Sequence, residues 1–229
     1  MEARQHTDRH YDAELKDLHM KILEMGGFVE KQIANAIRAL VNRDDDVART
    51  TIDADHTVNR MDVDIDDLCI RLLALRQPAA KDLRLITTAL KITTDLERIG
   101  DMAVNLCERT LELNQEPLLK PLIDIPRMAE VAQAMLRESL DSFVREDVEL
   151  ALKVCRDDDF IDQLNGQLFR ELSSFMVERP QTIGRAIRLL FVAKYIERIA
   201  DHATNIAEMV IYMVKGKSIR HMNHVPPSI

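Results

Sequence analysis

Four rows of acids and amides recur along this 229-residue chain at helical spacing. The first holds Asp55, Asn59, Asp62 and Asp66; the second Glu97, Asp101 and Asn105; the third Asp158, Asp162 and Asn165; the fourth Glu197, Asp201 and Asn205. Steps of three and four place each row on one face of a helix. Like charges at that spacing cost a helix roughly 0.2–0.5 kcal/mol per pair, and Asp is a poor interior helix former. A cation held between neighbouring rows removes the repulsion. The donors are all oxygen, with no convincing His or Cys among them. They suit hard divalent or trivalent ions: Mg, Mn, Ca or oxidised Fe, with Zn less natural. A lone D-x-x-x-D is usually a solvated helix face. Here the pattern sits on two helices in each half of the chain, although duplication explains the second copy by descent.

The elements that must carry these rows are helices. Apolar residues recur at three- and four-residue steps almost throughout. The chain is 46% hydrophobic and 31% charged, with 4% aromatics, no Trp, and little Gly or Pro. That composition suits bundles, not sandwiches or barrels. Six helices are predicted, over about 12–41, 44–76, 78–114, 127–145, 147–178 and 181–215. The pair Gly26-Gly27 marks either a local irregularity or a close helix approach. Pro117, Pro121 and Pro126 break the pattern and make 115–126 a linker. The tail, 216–229, with Pro226-Pro227, is expected to be loose.

The two halves match. Glu97-Arg98-Ile99-Gly100-Asp101 returns as Glu197-Arg198-Ile199-Ala200-Asp201, and Arg43-Asp44-Asp45 is echoed by Arg145-Glu146-Asp147. The chain is therefore all-α: two tandem, internally repeated three-helix bundles, 1–114 and 127–215, packed end to end or side by side. On a helical wheel Leu96, Ile99, Ala103 and Leu106 form a buried stripe, as do Ile196, Ile199, Ala203 and Ile206. Glu97, Asp101, Asn105 and their counterparts fall on the opposite side, so the acids line the outside of each bundle. The place that matches Asp66 in the second half holds Phe169.

Other chemistries find no support. There is no Gly-rich phosphate loop, no G-x-S-x-G and no E-x-x-H pair. No nucleophile or base with an orienting partner stands out. A formal charge of −8 argues against nucleic acid. Cys69, Cys107 and Cys155, odd in number and widely spaced, read as reduced, small apolar residues in a reducing cytosol. Arg98 and Arg198 read as surface ion-pair partners, and His56 and His202 as packed or rim residues. The stretch from Met1 to His10 has no apolar signal core. No apolar run spans a bilayer, so membrane association would go through a partner.

Several segments, in order and in both halves, resemble the PhoU family. They are Met25 to Lys31, Arg76-Gln-Pro-Ala-Ala-Lys-Asp-Leu-Arg84, Asp95 to Asp101 and Glu197 to Glu208. The resemblance implies two three-helix bundles, often dimeric, with E/D-x-x-x-D motifs that carry multinuclear metal clusters on the surface. The motifs fall on Asp62 and Asp66, Glu97 and Asp101, Asp158 and Asp162, and Glu197 and Asp201, with the remaining Asp and Asn of the rows as added ligands. Two departures stand out: Phe169, which puts the size of the second cluster in question, and Ala200 for Gly100, a swap of small residues. The resemblance further implies a non-enzymatic cytoplasmic regulator that keeps the phosphate regulon off. Its implied partners are the ATPase subunit of the phosphate ABC transporter and a membrane sensor histidine kinase. A metal-dependent hydrolase and a metal-storage bundle are the competing classes.

Overall fold

The computed structural model describes residues 9–78 and 80–217; most of the predicted loose tail, with His221 and His224, lies outside them. The described residues form α1 (Arg9–Asn42), α2 (Asp45–Asp53), α3 (Asp55–Arg76), α4 (Ala80–Leu113), α5 (Asp124–Arg145), α6 (Val148–Glu178), a single 3-10 turn (Pro180–Thr182) and α7 (Ile183–Lys215). Four of the helix termini have a clear local cause. Asp44 caps α2, its carboxylate accepting from the Val47 N–H at 3.0 Å, and Asp147 caps α6 through the Leu150 N–H at 3.0 Å. Gln77 and Gly216 end α3 and α7 in the left-handed conformation.

Three sequence expectations are corrected. The second helix is two: Ala54 takes a turn that closes α2 with its N–H on Thr50 and Ile52, and α3 restarts at Asp55. Asp55 thereby gains a helix N-terminus, whose free N–H groups favour a carboxylate. The fourth predicted helix starts at Asp124, with Pro126 in its first turn, where a missing N–H costs nothing. The repeat also matches one residue differently in this region. The two caps are Asp44 and Asp147, and each follows a positive-φ residue, Arg43 at 55° and Glu146 at 52°. Arg43 therefore corresponds to Glu146, not Arg145.

The six-helix, two-bundle plan stands, with its second helix interrupted. The bundles lie side by side: α4 packs along α7, and α1 packs on α5. Polar links show that α4 and α7 run antiparallel. The Arg84 Nε donates to the Met213 carbonyl at 3.0 Å, His202 Nδ1 meets Asp95 Oδ1 at 2.7 Å, and Arg188 Nε reaches Glu112 Oε2 at 2.8 Å. His202 is thus the packed residue the sequence suggested, and its partner comes from the other repeat. Both predicted stripes on α4 and α7 are fully buried.

The glycine pair resolves into two different residues. Gly26 is buried where α1 meets α5, and a Cβ there would overlap Leu140 Cδ1; Gly27 has open space. Because the overlap is with the tip of Leu140, which must turn aside in a buried seam, Gly26→Val is expected to destabilise the protein by about 1 kcal/mol through overpacking. Gly27→Ala should stabilise it by roughly 0.5–1 kcal/mol by stiffening the unfolded chain. Equal effects in chemical denaturation would refute the close-approach reading.

Candidate metal centres on the paired helices

Each bundle brings two rows face to face. In the first, Asp55, Asn59 and Asp62 on α3 lie alongside Glu97 and Asp101 on the antiparallel α4. The Asp55 charge acts on Asp101, and that of Asp62 on Glu97. In the second, Asp158 and Asp162 on α6 lie beside Glu197 and Asp201 on α7. Asp66 stands apart, reaching Asp62 along its own helix. Asn165 lines a different groove, described below, and Asn105 and Asn205 are half-buried one turn beyond the acids.

The outer face holds for only part of the set: Asp201, like Asp162 on α6, is exposed, whereas Glu97, Asp101 and Glu197 are partly covered. Glu97 and Asp101 are half-buried, and the Glu197 side chain is only 14% exposed. The reason is packing. α4 is covered by α1, α2, α3 and α7, and α7 by α4, α5 and α6, so a helix in these positions has little outer face left. Desolvation, first, and then the neighbouring carboxylates push Asp62, Glu97, Asp101, Asp162 and Asp201 above the usual range. Asp158 is pushed furthest, up to about 6, by burial and then by Asp201 and Asp162. Arg98 moderates Glu97 and Asp101, while Lys194 moderates Asp162 and Asp201 and pairs with Glu197.

Buried oxygens test whether the residues fit a hard cation. Asp158 Oδ1 is sealed from solvent with no hydrogen-bond partner. Gln32 on α1, 2% exposed, has neither its amide oxygen nor its nitrogen paired. A Cβ at Gly100 would stand 3.3 Å from Gln32 Oε1, 3.4 Å from Val58 Cγ1 and 3.5 Å from Asp55 Oδ1, so the missing side chain leaves a cradle with two oxygens and one methyl group on its wall. These oxygens fit a hard ion. Among the described residues, no three His, Cys, Asp or Glu side chains already form a ligating group. Closing a coordination sphere therefore takes rotation of the acid side chains, with Gln32 contributing from outside that set. Sequence periodicity on the acid-bearing helices missed Gln32, because it belongs to a third helix. Its signal was an amide in the buried stripe of α1.

The thiols sit apart from this chemistry. Cys69 and Cys107 are buried, Cys155 is half-buried, and burial pushes all three up to about 12.

A second feature lies beside the second acid pair. An open groove of about 510 Å3 runs between α6 and α7, lined by Phe169, Ile187, Leu190 and Phe191 with Arg170 and Lys194. Phe169 is 57% and Phe191 48% exposed, an apolar patch of the kind that marks interaction sites. By the repeat, the first half carries Asp66, Thr87 and Lys91 where the second has Phe169, Ile187 and Phe191.

Fold and site define a duplicated three-helix-bundle protein with a desolvated acid pair in each half. A family model described as "PhoU domain" matches residues 22–110 and 125–210. The phosphate-specific transport system accessory protein PhoU homolog of Pseudomonas aeruginosa is 40% identical over 95% of this chain and 90% of its own length. The accessory protein PhoU of Escherichia coli K12 is 38% identical over the same shares. The crystal structure of PhoU from Pseudomonas aeruginosa superposes with a TM-score of 0.87 at 41% identity, covering 90% of this chain and all of that one. That of the regulatory protein PhoU from Streptococcus pneumoniae gives 0.86 at 29%. The chain belongs to the PhoU family.

Asp158 gives a test of the desolvated acids. Its folded value, about 6 against an ordinary 3.8, means that the metal-free folded state holds the proton to higher pH than the unfolded chain. Its contribution to stability therefore falls as pH rises from about 4 through about 6 and is level above that. Asp158→Asn should stabilise the chelator-treated protein at pH 7.5 by about 1 kcal/mol, a figure discounted for partial solvation, with the gain vanishing towards pH 4. A gain independent of pH in urea titrations would refute the assignment.

Proposed function

We propose that this chain is a non-enzymatic regulator of phosphate uptake and phosphate-starvation signalling. It acts as an adaptor between the ATPase subunit of a phosphate ABC transporter and a sensor histidine kinase, and it restrains the phosphate regulon. Its two acid pairs bind hard metal ions, Mg, Mn, Fe or Ca before Zn. It works as a homodimer at the cytoplasmic face of the membrane. The observation that carries this reading is the near-full-length match to accessory proteins of phosphate-specific transport. No helix among the described residues is long and apolar enough to cross a membrane, so such an adaptor meets its membrane-bound partners through its surface.

The groove suits the contact with the ATPase subunit. Its apolar floor takes the apolar face of a helix, and Arg170 and Lys194 at its edges favour acids on that helix. Lys194 also joins the groove to the metal site, because it lines the one and pairs with Glu197 in the other. An ion on Glu197 competes with Lys194 for the carboxylate and frees the ammonium for a partner's acid. Metal binding and partner binding then favour one another.

Two variants test the two halves of this reading. Phe191→Glu should cut co-purification with the transporter ATPase at least tenfold and derepress phosphate-responsive transcription, while leaving helicity unchanged. Simultaneous change of Glu97, Asp101, Glu197 and Asp201 to Ala should abolish metal binding and weaken partner binding. Unaltered regulation when the chain is deleted would sink the adaptor reading. Unaltered partner binding by the metal-free variant would sink only the metal coupling.

A further inference from the structure

The two acid pairs carry equal charge but are not alike. By the repeat, Asp55, Asn59 and Asp62 correspond to Asp158, Asp162 and Asn165. Acid and amide trade places along the row, and Asn165 turns to the groove, so each bundle presents two acids from this helix and two from the next. The difference lies behind the acids, on the first helix of each bundle. Burial along α5 repeats burial along α1 position by position: Met25 with Met128, Val29 with Ala132, Ile33 with Leu136 and Leu40 with Phe143 are all buried. In that register Gln32 corresponds to Met135, also buried. Gly100, which faces Gln32, corresponds to Ala200.

These two exchanges belong together. A methyl group at 100 would press on Gln32 Oε1 at 3.3 Å, tighter than ordinary contact. Opposite a thioether a methyl group is ordinary apolar packing. A core position taken by an amide with no partner is destabilising. That cost persists in one half while the other half shows an apolar solution at the same place. Something polar must meet Gln32, and the space its oxygen shares with Asp55 Oδ1 is where it would sit.

Resting on the metal-binding reading above, we propose that Gln32 Oε1 is an inner, uncharged ligand of the first site. With Asp55 it gives the first site a donor that the second lacks, where Met135 and Ala200 close the same space with apolar groups, and so a tighter hold on one hard divalent cation. The first site is then the constitutive one, and the second the exchangeable one beside the groove. Amide oxygen is a normal donor to Mn2+ and Ca2+, whereas thioether sulfur is not.

The test is a Mn2+ titration of the untagged full chain by calorimetry, with bound and free ion followed by electron paramagnetic resonance. Wild type should show two classes of site. Gln32→Met, which copies the second half into the first, should weaken the tighter class at least tenfold and leave the weaker class and the helicity unchanged. Gly100→Ala should do the same by filling the cradle, and it guards against a folding defect in the first variant. The double change Met135→Gln with Ala200→Gly should tighten the weaker class. If Gln32→Met and Gly100→Ala both titrate as wild type, the amide meets only water and the inference falls while the metal reading stands. If wild type binds no Mn2+ at millimolar concentration, both fall.

Discussion

Like charges held partly out of water are the constraint to which the rest of this molecule answers. Carboxylates on one helix face carboxylates on its antiparallel neighbour, and the packing that builds the core also covers Asp62, Glu97, Asp101, Asp158 and Glu197 in part. Desolvation, more than mutual repulsion, raises their affinity for protons. A site that favours protons at the wrong pH is equally ready for any other cation that its oxygens can surround. The helices pay little locally, because the acids sit on long elements whose opposite faces bury Ile, Leu and Ala throughout.

The seam between the repeats fixes where those helices lie. α4 and α7 are each the third helix of their bundle, and they pack on one another as well as on their own neighbours. The links along that seam are unequal. Asp95 meets His202 with both side chains nearly buried, at 13% and 12% exposure, whereas the repeat puts Tyr195 and Met102 at the reciprocal positions. Arg185 and Arg188 hold the linker and the end of α4 through Pro117, Glu112 and Glu116. From the other side Arg43 donates to the Asn114 and Glu116 carbonyls. The proline-rich segment is thus a tethered crossover, stitched to both bundles.

Much of this was legible in the amino-acid pattern, and what was not has a common cause. Periodicity identifies the buried stripe of a helix, and Leu96, Ile99, Ala103 and Leu106 lie where it puts them. A wheel takes one helix at a time and assigns everything off the stripe to solvent. It therefore left Glu97 and Asp101 outside, although α3 and α7 flank that same helix. Gln32 was invisible for the same reason, since the residue that completes a cluster comes from a helix with no acid motif of its own. The one-residue error in matching Arg43 to Arg145 arose because arginine identity outweighed backbone role. The equivalence is set by the left-handed turn and the aspartate cap, which a residue-by-residue match does not weigh. In the sequence Phe169 stands where the repeat has an acid. The structure shows that the same residue belongs to an apolar groove.

Duplication makes that last point physical. Two copies of one bundle begin with the same surface, and each later difference is a departure from a shared answer. In the first copy the α3–α4 surface keeps Asp66, Thr87 and Lys91, and the interior keeps Gln32 behind its acids. In the second the corresponding surface is Phe169, Ile187 and Phe191, and the interior is Met135. Polarity has moved inward in one copy and apolar surface outward in the other. A chain selected for stability alone has no reason to do either, because a buried unpaired amide and an exposed pair of phenylalanines both cost free energy in the isolated fold. The two costs fall in different copies, one against a site that an ion can fill and the other against a surface that a protein can cover. Lys194 belongs to both places in the second copy, lining the groove and pairing with Glu197 of the acid pair.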